Sequence, residues 1–215
     1  MSKVNYENKS AGFYDDLFVS PNPVQAWFHY SRNTITNKYV LSFYREGMKI
    51  ADLGCGNVSW NTKKLPVIGV DINENFLSHN LDQKKISQAI ISPLIDIPLP
   101  NESIDIIVIT EVLEHLADPH KHIEEFARIL KPGGIIICSV PYDVMLSLWR
   151  PLFFLQCFVN GYIKKDMYYK QKCGHINRFS RKKLRKLFLC FNFAIIEQHN
   201  FNYLTLFTIA RKTYV

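Results

Sequence analysis

The chain has 215 residues, of which 47% are hydrophobic, and a formal net charge of +7. This length suits one domain with a substantial core, and the composition excludes disordered and fibrous classes. Residues 1–10 are polar with no apolar h-region, so no secretory signal is expected; the five scattered cysteines lack a C-x-x-C pair, which argues against a disulfide framework or a zinc site and fits a reducing, cytoplasmic compartment.

Residues 12–45 read as helical, with aromatics at Phe13, Tyr14, Phe18, Trp27, Phe28 and Tyr30. Ser20-Pro21-Asn22-Pro23 breaks that region in two, and we read it as an N-terminal cap. Strands are expected at 49–53 and 67–71, a helix at 73–80, and further strands at 86–91 and 104–110. Asp118-Pro119 starts a helix, with Asp as N-cap and Pro at the first helical position. Ile123, Phe126, Ala127 and Leu130 form its apolar stripe, and Pro132-Gly133-Gly134 ends it. A fifth strand follows at 135–140, a basic amphipathic helix at 181–190, and a strand pair at 193–197 and 204–210. The alternation is that of an α/β fold. It divides into a cap (1–45), a core (46–142), an insertion or lid (143–180) and a C-terminal helix with its strand pair (181–215).

The first strand runs into a glycine turn, Ile50-Ala51-Asp52-Leu53-Gly54-Cys55-Gly56, and Asp71 closes the next apolar run. In an open α/β sheet, ligands sit outside the carboxyl ends of the strands. Gly54 and Gly56 let the backbone approach a ligand, and Asp71 is placed to accept two hydrogen bonds from a ribose diol. A dinucleotide fingerprint would need a third glycine where Ser59 stands, and no P-loop is present. A ribose site without a phosphate cradle suits S-adenosylmethionine.

These residues resemble the first two motifs of the class I S-adenosylmethionine-dependent methyltransferases. The segment from Ile104 to Leu116 is similar to the family's fourth-strand region. Leu130-Lys131-Pro132-Gly133-Gly134 resembles its approach to the fifth strand. Gly174-His175 to Phe179 resembles a late segment of the small-molecule and quinone-pathway members. Four matches in order span roughly residues 49–190. The resemblance implies a Rossmann-like fold with a seven-stranded, mostly parallel sheet, helices on both faces and an antiparallel last strand. It implies that Asp52, Gly54, Cys55, Gly56, Asp71 and Ile72 meet the cofactor, with Asp52 near its amine. Asp96 lies near, but out of register with, the acid that the family places by the adenine. Val58 stands where a third glycine is common. Tyr14 and Arg32 in the cap are further candidate cofactor contacts, and Glu111 another.

Glu111, Glu114 and His115 fall at i, i+3 and i+4, on one face of a helix start. With His175 they resemble the metal site of quinone-pathway O-methyltransferases and of small-RNA 2′-O-methyltransferases, and magnesium is the candidate ion. The alternative is local capping and a place in the cofactor pocket. Without a metal, His115 or His175 is a candidate general base.

Residues 164–186 hold ten Lys or Arg and one acid, Asp166. That face is either a solvated helix surface or a contact for nucleic acid or another anionic surface. Residues 144–163 are apolar and aromatic, but Arg150-Pro151, Gln156 and Asn160 argue against a membrane span. They make either a buried insertion or a wall facing an apolar substrate or a membrane surface. The expected activity is methyl transfer to a small-molecule acceptor, most readily at oxygen, the acceptor being lipid-like, aromatic or a carrier-linked glycan. Two competing assignments are an RNA methyltransferase that uses the basic segment and a non-catalytic cofactor-binding subunit of a partner enzyme.

Overall fold

The computed structural model describes residues 6, 7, 9–15 and 22–214. Phe18, Ser20 and Pro21 lie outside the described residues. A seven-stranded sheet carries the strand order β3-β2-β1-β4-β5-β7-β6. β1 (Ile50–Leu53), β2 (Val67–Asp71), β3 (Gln88–Ile91), β4 (Ile104–Thr110) and β5 (Leu130–Pro141) pair in parallel, whereas β7 (Thr205–Lys212) is antiparallel to β5 and to β6 (Phe193–Phe201). Strands covered on both faces read as continuous apolar runs. β1 is buried along its whole length, and Ile106 to Ile109 of β4 are buried as well. This is the Rossmann-like arrangement, with one antiparallel strand near the far edge.

Helices cover both faces. On one face α3 (Pro119–Ile129) buries Ile123, Phe126 and Ile129, and α6 (Arg181–Leu189) buries Leu184, Leu187 and Phe188. On the other, Val40 of α1 (Pro23–Phe43) and Leu77 of α2 (Glu74–Asp82) join Trp60, Ile106 and Phe207. Each of these four helices has a side-chain N-cap. The Asn22 side chain accepts the Val24 N–H at 3.0 Å with Pro23 in the first turn, and Asp118 accepts from His120 at 3.1 Å ahead of Pro119.

Several boundaries differ from the sequence expectation. The first long helix spans 23–43, and residues 11–14 form a turn instead. Pro132-Gly133-Gly134 does not separate α3 from the next strand. Leu130 is already extended, fully buried and paired with Ile104, so the glycines fall inside β5 at a register shift. The final strands run longer than expected because their pairing continues from Phe193↔Lys212 to Phe201↔Thr205. The apolar segment forms α4 (Trp149–Phe158), a π-helical turn Val159–Ile163 and then the short α5 (Met167–Lys170). Among the described residues, no helix is long and apolar enough to cross a membrane.

Candidate functional site

The parallel registers set Leu53 beside Val70 and Asp71 beside Ile91, so these strands end at one edge of the sheet. The chain order reverses direction there, between β1 and β4, which is where open α/β sheets bind ligands. Gly54 and Gly56 take φ of +67° and +49°, a region that favours glycine. The Gly54 and Cys55 N–H groups both donate to the Val70 carbonyl, at 2.8 and 3.2 Å, which fixes the turn against β2. A Cβ on Gly54 would lie 2.8 Å from a Val112 methyl group. Val58, where a third glycine is common, also takes a positive φ of +40°. Its side chain is buried with Trp60 and Leu77, and burial of about 1.5–3 kcal/mol offsets the backbone strain.

Asp71 is buried at the end of β2. Its carboxylate accepts the Gly56 N–H at 3.0 Å and the Asn73 N–H at 2.9 Å. Burial raises its pKa, and these backbone donors oppose the rise. Ile72 beside it is half exposed. Asp52 is buried and accepts the Trp60 indole N–H at 2.6 Å; burial pushes its pKa up to about 8. The Cys55 side chain turns into the core, so only its backbone borders the turn. Asp96 is exposed in the turn after β3, where its carbonyl accepts the Ser92 hydroxyl at 2.8 Å.

The N-terminal segment lies over this edge. A Cβ on Gly56 would meet the Tyr14 ring at 3.1 Å. Asp15 joins Asn57 (3.0 Å), Ser59 (3.1 Å), His79 (2.9 Å) and Lys85 (3.3 Å). Asn73 donates to the Tyr6 carbonyl at 2.7 Å, and the Tyr6 hydroxyl donates to the Cys173 carbonyl at 2.6 Å. A strap therefore ties the glycine turn, α2 and the segment before His175 together. The structure places Tyr14, a candidate cofactor contact, against the glycine turn, and adds Asp15, Asn57 and Asn73, which the sequence reading does not single out. The pattern Asp71-x-Asn73 before an amphipathic helix carries the signal for Asn73, as an N-cap that also holds the strap. Nothing local marks Asp15, whose partners are 42 or more residues away.

Glu111, Glu114 and His115 do not share a helical face. Glu111 takes φ +56° at the end of β4, and a 3-10 turn covers Leu113–His115. Two demands bend the chain: the Glu111 N–H donates to the Ser139 carbonyl at 2.9 Å, and its carboxylate accepts the Ser139 hydroxyl at 2.8 Å. Arg32 reaches the same carboxylate at 3.6 Å. Glu114, His115 and His175 do come together, with donor atoms within 4.8 Å of one another. Both Glu114 oxygens are buried with no hydrogen-bond partner. Burial, then the neighbouring Glu111, raises the Glu114 pKa well above the usual range. Burial lowers the His115 pKa to about 4 and that of His175 to about 3. Burial thus disfavours the charged form of both partners of the 3.7 Å Glu114–His115 contact.

An aromatic group adjoins this cluster. Trp149, Phe153 and His175 are nearly parallel, with interplanar angles of 8–15° and centroids 4.3–5.5 Å apart. His115 meets His175 at 4.8 Å and Tyr6 at 5.3 Å. The basic residues of α6 are exposed, and its apolar face packs on the sheet, as in an ordinary solvated amphipathic helix. A surface cavity of about 380 Å³ lies at the opposite edge, lined by Met48, Ile68 and Ile104 among others, away from these groups.

Residues 51–138 match the family described as a methyltransferase domain. The ubiquinone biosynthesis O-methyltransferase of Maricaulis maris is 33% identical over 131 residues, covering 55% of this chain and 50% of that protein. The demethylmenaquinone methyltransferase of Staphylococcus saprophyticus is 26% identical over 174 residues, covering 73% of this chain and 75% of that protein. The chain spans between 31% and 50% of the length of the first three curated relatives. The solved structure of an S-adenosylmethionine-dependent methyltransferase from Aquifex aeolicus superposes with a TM-score of 0.59 at 16% identity, over 83% of this chain and 89% of that one. Residues 51–138 thus match the methyltransferase domain family, within a chain whose fold is that of the solved S-adenosylmethionine-dependent methyltransferase.

Proposed function

We propose that this protein transfers a methyl group from S-adenosylmethionine to a small aromatic or otherwise apolar acceptor, at a hydroxyl oxygen. The observation that carries the acceptor class is the stacked trio Trp149, Phe153 and His175 beside His115. A planar ring packs well among such faces.

The residues at the sheet edge fit the cofactor. Positive-φ glycines give close backbone approach, Asp71 suits a ribose diol, and Asp52 lies beneath the turn on the amine side. On this reading Ile72 and Asp96 would lie toward the adenine, and Tyr14, Arg32 and Glu111 would be further cofactor contacts. The cofactor supplies an electrophilic methyl group on a sulfonium. The chain's own work is to align the acceptor oxygen and keep water out. His115 and His175 are neutral at pH 7, but with pKa values of about 4 and 3 they are weak bases. Alignment therefore supplies more of the rate than proton removal.

A bound divalent ion is a second reading, favoured by the unpartnered Glu114 oxygens. With Glu111 held by Ser139 and Arg32, the donors are one carboxylate and two imidazoles. That set fits a borderline ion such as zinc better than magnesium, which prefers oxygen ligands. Such an ion would lower the pKa of an acceptor hydroxyl.

The test is transfer of a labelled methyl group to a panel of hydroxylated aromatics, lipid-soluble quinols, carrier-linked glycans and RNA, with and without chelator. Label is expected on a ring hydroxyl, with or without chelator. Label on RNA alone would overturn the acceptor class. Tight cofactor binding with no transfer to any acceptor would favour the non-catalytic subunit.

A further inference from the structure

We propose that the outer face of α4 and the π-helical turn after it docks on the surface of an anionic phospholipid bilayer. Leu148, Leu152, Leu155, Phe158, Tyr162 and Ile163 recur mainly at spacings of three and four, and each is between 49% and 65% exposed. On the opposite side Trp149 and Cys157 are buried, and Trp149 stacks on His175. The helix is thus apolar on both sides, a pattern normally found in buried helices, yet only one side is covered. Scattered surface leucines need no explanation; a contiguous stripe of this kind marks a contact.

The rim identifies the occupant. Lys164, Lys165, Lys170 and Lys172 are all exposed. The acid among them, Asp166, is occupied in capping α5 through the Tyr168 N–H at 2.9 Å. Lys170 Nζ lies 5.9 Å from the Tyr162 ring centroid, and Lys172 Nζ lies 5.7 Å from that of Phe154. Ammonium groups beside aromatic rings, with leucines alongside, match the layering of an anionic interface: phosphates outermost, then the headgroup boundary, then acyl chains. A second copy of this chain would bring the same lysines against each other across a two-fold axis. The stripe runs over residues 148–163, about 22 Å of helix, short of the roughly 30 Å hydrocarbon core, so it lies in the interface plane. One helix then faces lipid on its outer side and the candidate acceptor site on its inner side. That last connection alone rests on the methyltransferase reading.

The experiment is flotation of the full-length protein with vesicles of phosphatidylcholine, alone or with about 30% phosphatidylglycerol, a level at which polybasic segments bind. Three double variants accompany it: L155D with F158D, K164E with K165E, and, as a control on α6, K182E with R185E. Thermal melts and cofactor affinity are followed for each, so a failure of the cofactor reading leaves the flotation result intact. The parent protein is expected to float with the anionic vesicles and not with the neutral ones. The first two variants are expected to lose about tenfold or more of the bound fraction without change in melting temperature, and the α6 variant to bind like the parent. Three results would overturn the proposal: no flotation, equal binding by the L155D/F158D variant, or equal loss in the α6 control. So would a solution dimer that this variant dissolves in the absence of any vesicle binding.

Discussion

At the residue scale, two positions hold energy that sequence pattern alone does not reveal. Gly54 has φ +67° and faces Val112 at 2.8 Å. Gly54→Ala is expected to lower stability by about 1–3 kcal/mol in urea denaturation. Part of that loss should return in the double variant with Val112→Ala, which relieves the contact and leaves the backbone strain. Additive losses would show that the contact is irrelevant. Glu114 is the second position. Its ordinary value is 4.5, and burial raises it in the folded chain only. The unfolded chain gives up its proton at the ordinary value, so folding stability contributed by Glu114 falls as pH rises above it. Glu114→Gln removes that loss. The variant should match the parent below the ordinary carboxyl value and gain on it as pH rises above that value. A difference that does not change with pH would contradict the assignment. His115 and His175 act in the opposite sense. Their folded values, about 4 and 3, lie below the ordinary 6.5. Acidification below about 6.5 therefore favours the unfolded chain by up to about 1.4 kcal/mol per pH unit for each ring. Replacing His115 by Gln should flatten the acid limb of the stability curve, and an unchanged limb would show that the ring is charged in the folded state.

At the scale of elements, a strap lies over the sheet edge. Asp15 links it by side chain to the glycine turn, through Asn57 and Ser59, and to His79 of α2 and Lys85, beside the backbone contacts that Asn57 and Asn73 make to Ala11 and Tyr6. Tyr14 rests against Gly56, so on the proposed reading the strap would have to lift for the cofactor to enter. Asp15→Ala is expected to speed both association and dissociation of S-adenosylhomocysteine several-fold, read by stopped-flow tryptophan fluorescence. Association unchanged, with faster dissociation alone, would mean that the strap holds the ligand but does not gate it. α3 shows the complementary behaviour of a purely structural element. Phe126 is fully buried between the helix and the sheet, and Phe126→Ala should cost about 3–5 kcal/mol of stability. Cofactor affinity should persist wherever the variant is folded.

At the scale of the whole molecule, the parallel sheet was legible because buried strands and capped helices carry strong local signals. The Asp52–Gly56 turn and Asp71 were legible for the same reason, since glycine chemistry and a strand-end acid lie within one short stretch. The separation of Glu111 from Glu114 was not legible. Helical spacing placed them on one face, but Ser139, 28 residues on, and Arg32, on another element, pull Glu111 into a left-handed conformation. The strap partners of Asp15 were hidden for the same reason. The claim on which all of this rests is that the sheet edge holds S-adenosylmethionine through Asp71. Calorimetric titration of the purified chain and of Asp71→Ala with S-adenosylmethionine and S-adenosylhomocysteine tests it most directly. The account requires binding by the parent and a loss of about tenfold or more in the variant, since hydrogen bonds to a charged group contribute about 1.5–3 kcal/mol. Equal affinity in the two proteins, or no binding by the parent, would contradict it.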